Sequence, residues 1–352
     1  MTKTTILLLG GGQSTEHEVS LISATNVLAA LSREKYDILT VGIDKDGTWR
    51  WYADGRLADH ADDAGAVCLA PGGIPAFPLR LHGRPVLALA DASREPMPFD
   101  LLFPVLHGCN GEDGTIQGLA QLLGCPCVGC GMTASAIAMD KAFTKQVLEH
   151  EGIVTAKWLQ FQAGEDIPDA QEIIAKLGLP LFVKSANGGS SVGVVKVHSE
   201  EEFAPAVQEA FRYDRKILVE EAIVGREIEC AVMGNEQPFC PTPGEIIPKC
   251  EYYSYDAKYI LEDGAVVVAP TKLAPEQEDT VRKLAVRVFR ILGCRGMSRI
   301  DFFLCPDGRF VLNEINTIPG FTRISMFPKL MLASGIPYPE LVDRLVQLSL
   351  KG

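Results

Sequence analysis

Apolar runs of strand length alternate with helical spacing over the first hundred positions. Residues 4–9 (TTILLL) form a strand-like run, Leu21, Ala24, Leu28 and Leu31 recur at helical intervals within 18–33, and residues 36–44 (YDILTVGID) return to a strand pattern. A strand–helix–strand opening predicts a parallel sheet, because parallel neighbours need a crossover connection. Residues 66–98 are rich in Gly and Pro and predict loops and a hairpin. LLFPVLHG (101–108) predicts a further strand ending in a glycine loop, which closes an α/β domain near residue 125.

The pattern changes from Lys141 onward. DKAFTKQVLEHEGI predicts a helix, followed by strands near 157–161, 181–184, 192–197 and 216–223. Further strands follow at 227–233 and 266–269, then a long helix at 275–292, then strands at 298–304 and 309–315. This second part predicts an α+β body in two lobes.

Length supports that division, since 352 residues exceed what one ordinary core organises. Apolar residues make up 47% and charged residues 22%, the balance of a well-buried globular chain. A net charge of −12 argues against nucleic acid as a partner, because phosphate neutralisation needs a basic face. No apolar run is long enough to span a bilayer. The N-terminal run of Ile6 to Leu9 ends in glycines without a cleavage pattern, so a first strand is expected in place of a signal peptide, and the cytoplasm is the expected location. CPCVGC (Cys125, Cys127, Cys130) lacks paired CxxC spacing and a His cluster, so reduced buried thiols are expected.

Five stretches carry candidate chemistry. GGGQSTEHEVS (10–20) places a glycine turn before a helix, where an anion can settle on free N–H groups. It departs from GxGxxG, Ser14 and Thr15 are also candidate N-caps, and Glu16 suits the helix dipole on structural grounds alone. HGCNGEDGTIQG (107–118) is a second such loop, with His107 at a strand end and Glu112 and Asp113 as candidate caps. VKSANGGSSVGVVKV (183–197) reads as a glycine hairpin whose amides and hydroxyls can close over phosphates beside Lys184. LVEEAIVGREIE (218–229) runs into acids at a strand edge, where backbone groups can meet an adenine and Glu227 a ribose.

The fifth stretch joins MSRIDFFL (297–304) to FVLNEINTIPGFT (310–322). Asp301 lies mid-strand among Ile300, Phe302 and Phe303, where an unpaired carboxylate is costly, and Arg299 lies on the same face two positions earlier. A buried Arg–Asp pair accounts for those two residues. Glu314 and Asn316, on alternate positions of the next strand, complete an all-oxygen set with Asp301 that suits Mg²⁺ held against nucleotide phosphates.

A lysine, a glycine flap, an acidic hinge and a late Asp…Glu-x-Asn set, in that order, resemble the ATP-grasp carboxylate–amine ligases. The motifs STEHEVSL, HGCNGEDGTIQG, MDKAFTK, GGSSVG, YSYDAKY, SRIDFF and NEINTIPGFT narrow the resemblance to the D-alanine–D-alanine ligase family and cover almost the whole chain. The resemblance implies three domains: a Rossmann-like α/β domain at 1–130, a central ATP-grasp lobe at 131–225 and a C-terminal lobe at 226–352. It implies ATP-dependent joining of two D-alanines through a D-alanyl phosphate, for cell-wall precursor synthesis, in a homodimer.

Residue roles implied by the resemblance are as follows. Lys141 and Lys184 contact ATP phosphates, Ser190 and Lys258 also belong to the ATP site, Glu220, Glu221 and Ile223 form the adenine hinge, and Glu227 meets the ribose. Asp301, Glu314 and Asn316 hold two Mg²⁺ ions, for which Mn²⁺ can substitute. Glu16 receives the first D-alanine's ammonium and joins Ser190 and Tyr259 in a trio that fastens the flap, with His107 nearby. Arg299 and the Gly320 amide form the oxyanion site, and Ser325 holds the second carboxylate. Relatives that use D-lactate or D-serine change the stretch 249–260, and YSYDAKY in this chain favours the dipeptide product. Gly188 stands where many relatives carry a longer polar residue, and residues 50–98 match no motif.

Overall fold

The computed structural model describes residues 3–189, 193–249 and 265–351. β1 (Thr4–Gly11) is fully buried from Ile6 to Leu9, as expected of a central strand covered on both faces. α1 (His17–Ala30) crosses to β2 (Tyr36–Ile43), which pairs with β1 in parallel. β3 (Trp49–Tyr52) follows through a turn too short for a crossover and so pairs antiparallel with β2. β4 (Ala58–Asp59) and β5 (Cys68–Leu69) form a separate two-stranded ladder.

β6 (Ile74–Leu81), β7 (Arg84–Leu89) and β8 (Met97–Pro98) extend the sheet, and β9 (Leu101–Val105) returns to the free side of β1. The order is β8-β7-β6-β3-β2-β1-β9, with parallel pairing confined to β2, β1 and β9. The expected hairpin at 66–98 therefore belongs to the main sheet. Ala76, Leu87 and Leu89 draw it there, since they share a core with Leu7, Leu9 and Trp51.

α2 (Thr115–Leu123), α3 (Met132–Met139) and α4 (Lys141–His150) lead to the second sheet. It comprises β10 (Trp158–Gln162), β11 (Leu181–Ser185), β12 (Val194–Val197) and β13 (Lys216–Glu221), in the antiparallel order β10-β13-β11-β12. α5 (Ala170–Leu177) and α6 (Glu200–Ala210) cover one face, packing Ile173 and Phe203 against Val183 and Val219. Strand alternation turns Lys184 and Glu220 to the opposite face. The segment entering this sheet docks on the third one, where the Leu312 amide donates to the Val154 carbonyl at 2.8 Å.

The third sheet runs β16-β15-β14-β17-β18, built from β14 (Arg226–Gly234), β15 (Gly244–Pro248), β16 (Ala265–Val268), β17 (Gly296–Leu304) and β18 (Phe310–Asn316). α7 (Pro275–Ile291) buries Val281 and Phe289 against Ile228, Ile300 and Phe302. α8 (Met326–Ala333) and α9 (Tyr338–Leu350) fill the space toward the first sheet, so that Phe327 and Leu345 share one core with Phe103 and Met297.

A bulge sets the face of the last strand. Phe302 pairs with Leu312, yet Asp301 pairs with Glu314, so Asn313 is the extra residue. Strict alternation from the core residues Phe310 and Leu312 would send Glu314 toward α7. The bulge turns Glu314 and Asn316 to the face that already carries Arg299 and Asp301.

Candidate active site

A cleft of about 770 Å³, a usual size for a small-molecule site, opens where the strand-end loops of the first and third sheets meet the glycine loop of the second. Glu16, His107, Lys141 and Glu227 reach it, as do Arg299, Glu314, Asn316, Gly320 and Ser325. Asp301 lies beneath Arg299, 1% exposed. Lys184, Glu220, Glu221 and Ile223 lie outside the cleft lining, and the expected Ser190, Lys258 and Tyr259 fall outside the described residues.

At the first-sheet end, Ser14 Oγ accepts the Glu16 amide at 2.9 Å and donates to the His107 carbonyl at 2.7 Å. Ser14 thus braces the turn before α1, and Glu16 itself takes the cap position, contrary to the expected Ser14 or Thr15 cap. Gly108, at φ +74°, and Gly189 pass close to the Glu16 carboxylate. An added Cβ would come within 2.8 Å and 2.7 Å of Glu16 Oε2 respectively. The buried His107 ring lies against the Ile318 carbonyl through Nδ1 and Ser23 Oγ through Nε2, each at 3.0 Å. A carbonyl only accepts, so Nδ1 carries the proton and Nε2 accepts from Ser23. Burial pushes the His107 pKa down, which keeps the ring neutral.

Glu112 is a latch and not the expected cap. Its carboxylate accepts the Gly108 amide at 2.8 Å and the Ile318 amide at 3.1 Å. Burial, then the nearby Glu16 charge, push its pKa up to about 8. Asp113 organises the start of α2 by accepting the Thr115 amide at 3.0 Å.

On the second sheet, Glu220 sits between Lys184 at 2.6 Å and Lys145 at 3.3 Å. Burial opposes its charge, but the two ammonium groups outweigh that and hold its carboxyl below the ordinary range. Glu221 accepts the Lys157 amide at 2.8 Å, and Ile223 follows the end of β13, partly exposed. Lys141 donates to the Gly188 carbonyl at 2.5 Å, tying α4 to the glycine loop.

The third sheet supplies a row of acids across three strands. Glu229 is the register partner of Asp301, and Asp301 that of Glu314. Arg299 donates to Asp301 through Nε and Nη2, at 2.9 and 2.7 Å, and stands 3.3 Å from Glu229 and 4.0 Å from Glu314. Burial works against its charge, but the three carboxylates hold its pKa well above the ordinary value. Asn316 Nδ2 donates to Asp301 at 3.2 Å. Among the described residues no three His, Cys, Asp or Glu side chains are gathered as metal ligands. The donor chemistry nevertheless fits a hard divalent cation: carboxylate and carboxamide oxygens are present, and three acids face one guanidinium.

At the open end, Ser325 precedes α8 and its Oγ accepts the Thr322 amide at 3.1 Å. A Cβ on Gly320 would meet that Oγ at 2.7 Å, so a side chain there would displace the Ser325 hydroxyl. Sequence reasoning passed over Glu229 and Lys145, and misjudged Glu112. Glu229 continues the acid–apolar alternation of Arg226-Glu227-Ile228-Glu229 and carried a usable signal, whereas Lys145 reads as an ordinary helix lysine.

Comparison with known proteins shows the family of both parts of the chain. A model described as D-ala D-ala ligase N-terminus matches residues 5–130, and one described as D-ala D-ala ligase C-terminus matches residues 147–347. The D-alanine–D-alanine ligase A of Escherichia coli K12 is 46% identical over 100% of this chain and 97% of its own length. That of Oceanobacillus iheyensis is 44% identical over 97% of this chain and 93% of its own. Among solved structures, the D-alanine–D-alanine ligase of Coxiella burnetii superposes with a TM-score of 0.86 at 36% identity, covering 100% of this chain and 95% of that one. The VanG D-Ala:D-Ser ligase of Enterococcus faecalis gives 0.87 at 34% identity, covering 99% and 100%. Such ligases are ATP-grasp enzymes, and the chain belongs to the D-alanine–D-alanine ligase family.

Proposed function

We propose that the cleft joins two D-alanines at the expense of ATP, through a D-alanyl phosphate, for peptidoglycan precursor synthesis. The observation that carries the site assignment is the convergence of Glu16, Arg299, Glu314 and Asn316 on one cavity from sheets far apart in sequence. In this reading 1–130 holds the first substrate, while 131–225 and 226–352 clasp the nucleotide.

Glu16, held by Ser14 and flanked by two glycines, binds the first D-alanine's ammonium and aims its carboxylate at the γ-phosphoryl. Lys141 and Lys184 balance phosphate charge, and a strand edge with Glu220, Glu221 and Ile223 receives the adenine, leaving Glu227 for the ribose. Asp301, Glu314 and Asn316 would hold divalent cations, which when bound would supply charge neutralisation for phosphoryl transfer. The second D-alanine binds with its carboxylate on Ser325 at the N-terminus of α8, where free N–H groups favour an anion. Its free amine attacks the acyl carbon, and Arg299 with the Gly320 amide stabilises the tetrahedral oxyanion. His107, neutral and hydrogen-bonded at both nitrogens, shapes the wall beside the first substrate and carries no proton in transfer. The loop bearing Gly188 and Gly189 closes over the acyl phosphate and keeps water from it.

The test is phosphate release from MgATP with D-alanine, with the dipeptide read by mass. D-alanine-dependent phosphate and D-alanyl-D-alanine are expected, and D-serine or D-lactate as acceptor should add little. Absence of D-alanine-dependent phosphate would overturn the reading. Among the described residues no helix is long and apolar enough to cross a membrane. A cytoplasmic homodimer is part of the proposal, checked by sedimentation.

A further inference from the structure

The metal role proposed for Asp301 conflicts with its present hydrogen bonds. Oδ1 accepts Arg299 Nε at 2.9 Å, while Oδ2 accepts Arg299 Nη2 at 2.7 Å and Asn316 Nδ2 at 3.2 Å. Oxygen lone pairs directed at a guanidinium are not offered to a cation, and the guanidinium repels that cation. Release of Asp301 by Arg299 therefore favours a divalent ion on that carboxylate. A buried guanidinium is costly to strip of its counter-ion, so the release needs a second anion within reach.

Glu229 fits that requirement. It is 5% exposed, is paired in register with Asp301 on the strand away from Glu314, and places Oε2 3.3 Å from Arg299 Nε. Glu314, at 4.0 Å, belongs to the ligand set and is not available for the exchange. We propose that Glu229 is a second seat for Arg299: a positioning residue that takes the guanidinium when a divalent cation engages Asp301, Glu314 and Asn316, and keeps it beside the Gly320 amide for the acyl-transfer step. This rests on the metal assignment made above.

Mn²⁺ binding to the full chain in the presence of ADP tests it without turnover, read from the free Mn²⁺ signal in electron paramagnetic resonance. Glu229→Gln should weaken Mn²⁺ about tenfold in the unmodified background, and by less than about threefold in an Arg299→Met background, where no guanidinium needs a seat. Glu229→Asp keeps the charge but shortens the reach, and should weaken binding as glutamine does. It also carries the comparison if the glutamine variant fails to fold. An equal loss in both backgrounds, or full rescue by aspartate, would mean that Glu229 acts on the cation by charge alone and would overturn the proposal. No loss in the unmodified background would overturn it too. Failure of the unmodified protein to bind Mn²⁺ would instead remove the metal assignment, and the seat with it.

Discussion

The Glu112 carboxylate accepts the Ile318 amide at 3.1 Å across 206 positions of sequence, which fastens the loop after β9 to the loop after β18. The two cleft-facing loops are thereby held in register by one half-buried acid. With a pKa near 8 against an ordinary 4.5, this carboxyl keeps its proton in the folded state after the unfolded chain has lost it. Its contribution to stability is full below pH 4.5 and is lost as the pH rises toward 8. Glu112→Gln should remove that slope, so the difference in urea midpoint between variant and unmodified protein should move in the variant's favour across this window. A difference independent of pH would contradict the assignment.

Glu314→Gln should leave the fold intact and lower kcat at least about a hundredfold, equivalent to ~2.7 kcal/mol of transition-state stabilisation. Thermal unfolding and steady-state phosphate release separate the two effects. Near-normal turnover would remove Glu314 from the proposed ligand set.

Gly189→Ala should raise KM for the first D-alanine about tenfold with little change in melting temperature. The added methyl would meet Glu16 Oε2 at 2.7 Å and shift the proposed ammonium acceptor. Gly131→Ala is the control, since its methyl meets nothing within 4 Å. Equal KM values for the two variants would show that Glu16 tolerates the push.

Glu220→Gln should cost about 3–5 kcal/mol in urea denaturation, because it leaves two buried ammonium groups without their shared partner. Lys145→Met should cost less, since Glu220 then keeps Lys184 at 2.6 Å. The reverse order would mean that Lys145, rather than Glu220, is the member on which the others depend.

Much of the framework was legible in the chain. The β1–α1–β2 opening, the acid Asp301 amid apolar neighbours and Glu314 on the next strand announce a crossover sheet and a charged strand pair. What stayed hidden depends on pairing. Alternation from Leu312 points Glu314 into the core, and only the bulge at Asn313, a property of two strands together, reverses it. Glu112 looks like a helix cap because its true partner lies on a loop that only the fold brings near. Lys145 gains its meaning from Glu220 on another element. The placement of the hairpin at 74–89 in the main sheet likewise depends on a core supplied by β1 and β3.

The bond from the Leu312 amide to the Val154 carbonyl has a mechanical side. It pins the entry of the second sheet to the strand that carries Glu314 and Asn316, two and four residues further on. A body that rotates about a pin moves least next to it. If the second sheet swings about that bond, its far end travels farthest, while the oxygens proposed to face the phosphates stay close to the axis. The lid and the anvil share a hinge, so the chain can open widely to admit an amino acid without unsettling the spot where the phosphoryl group changes hands.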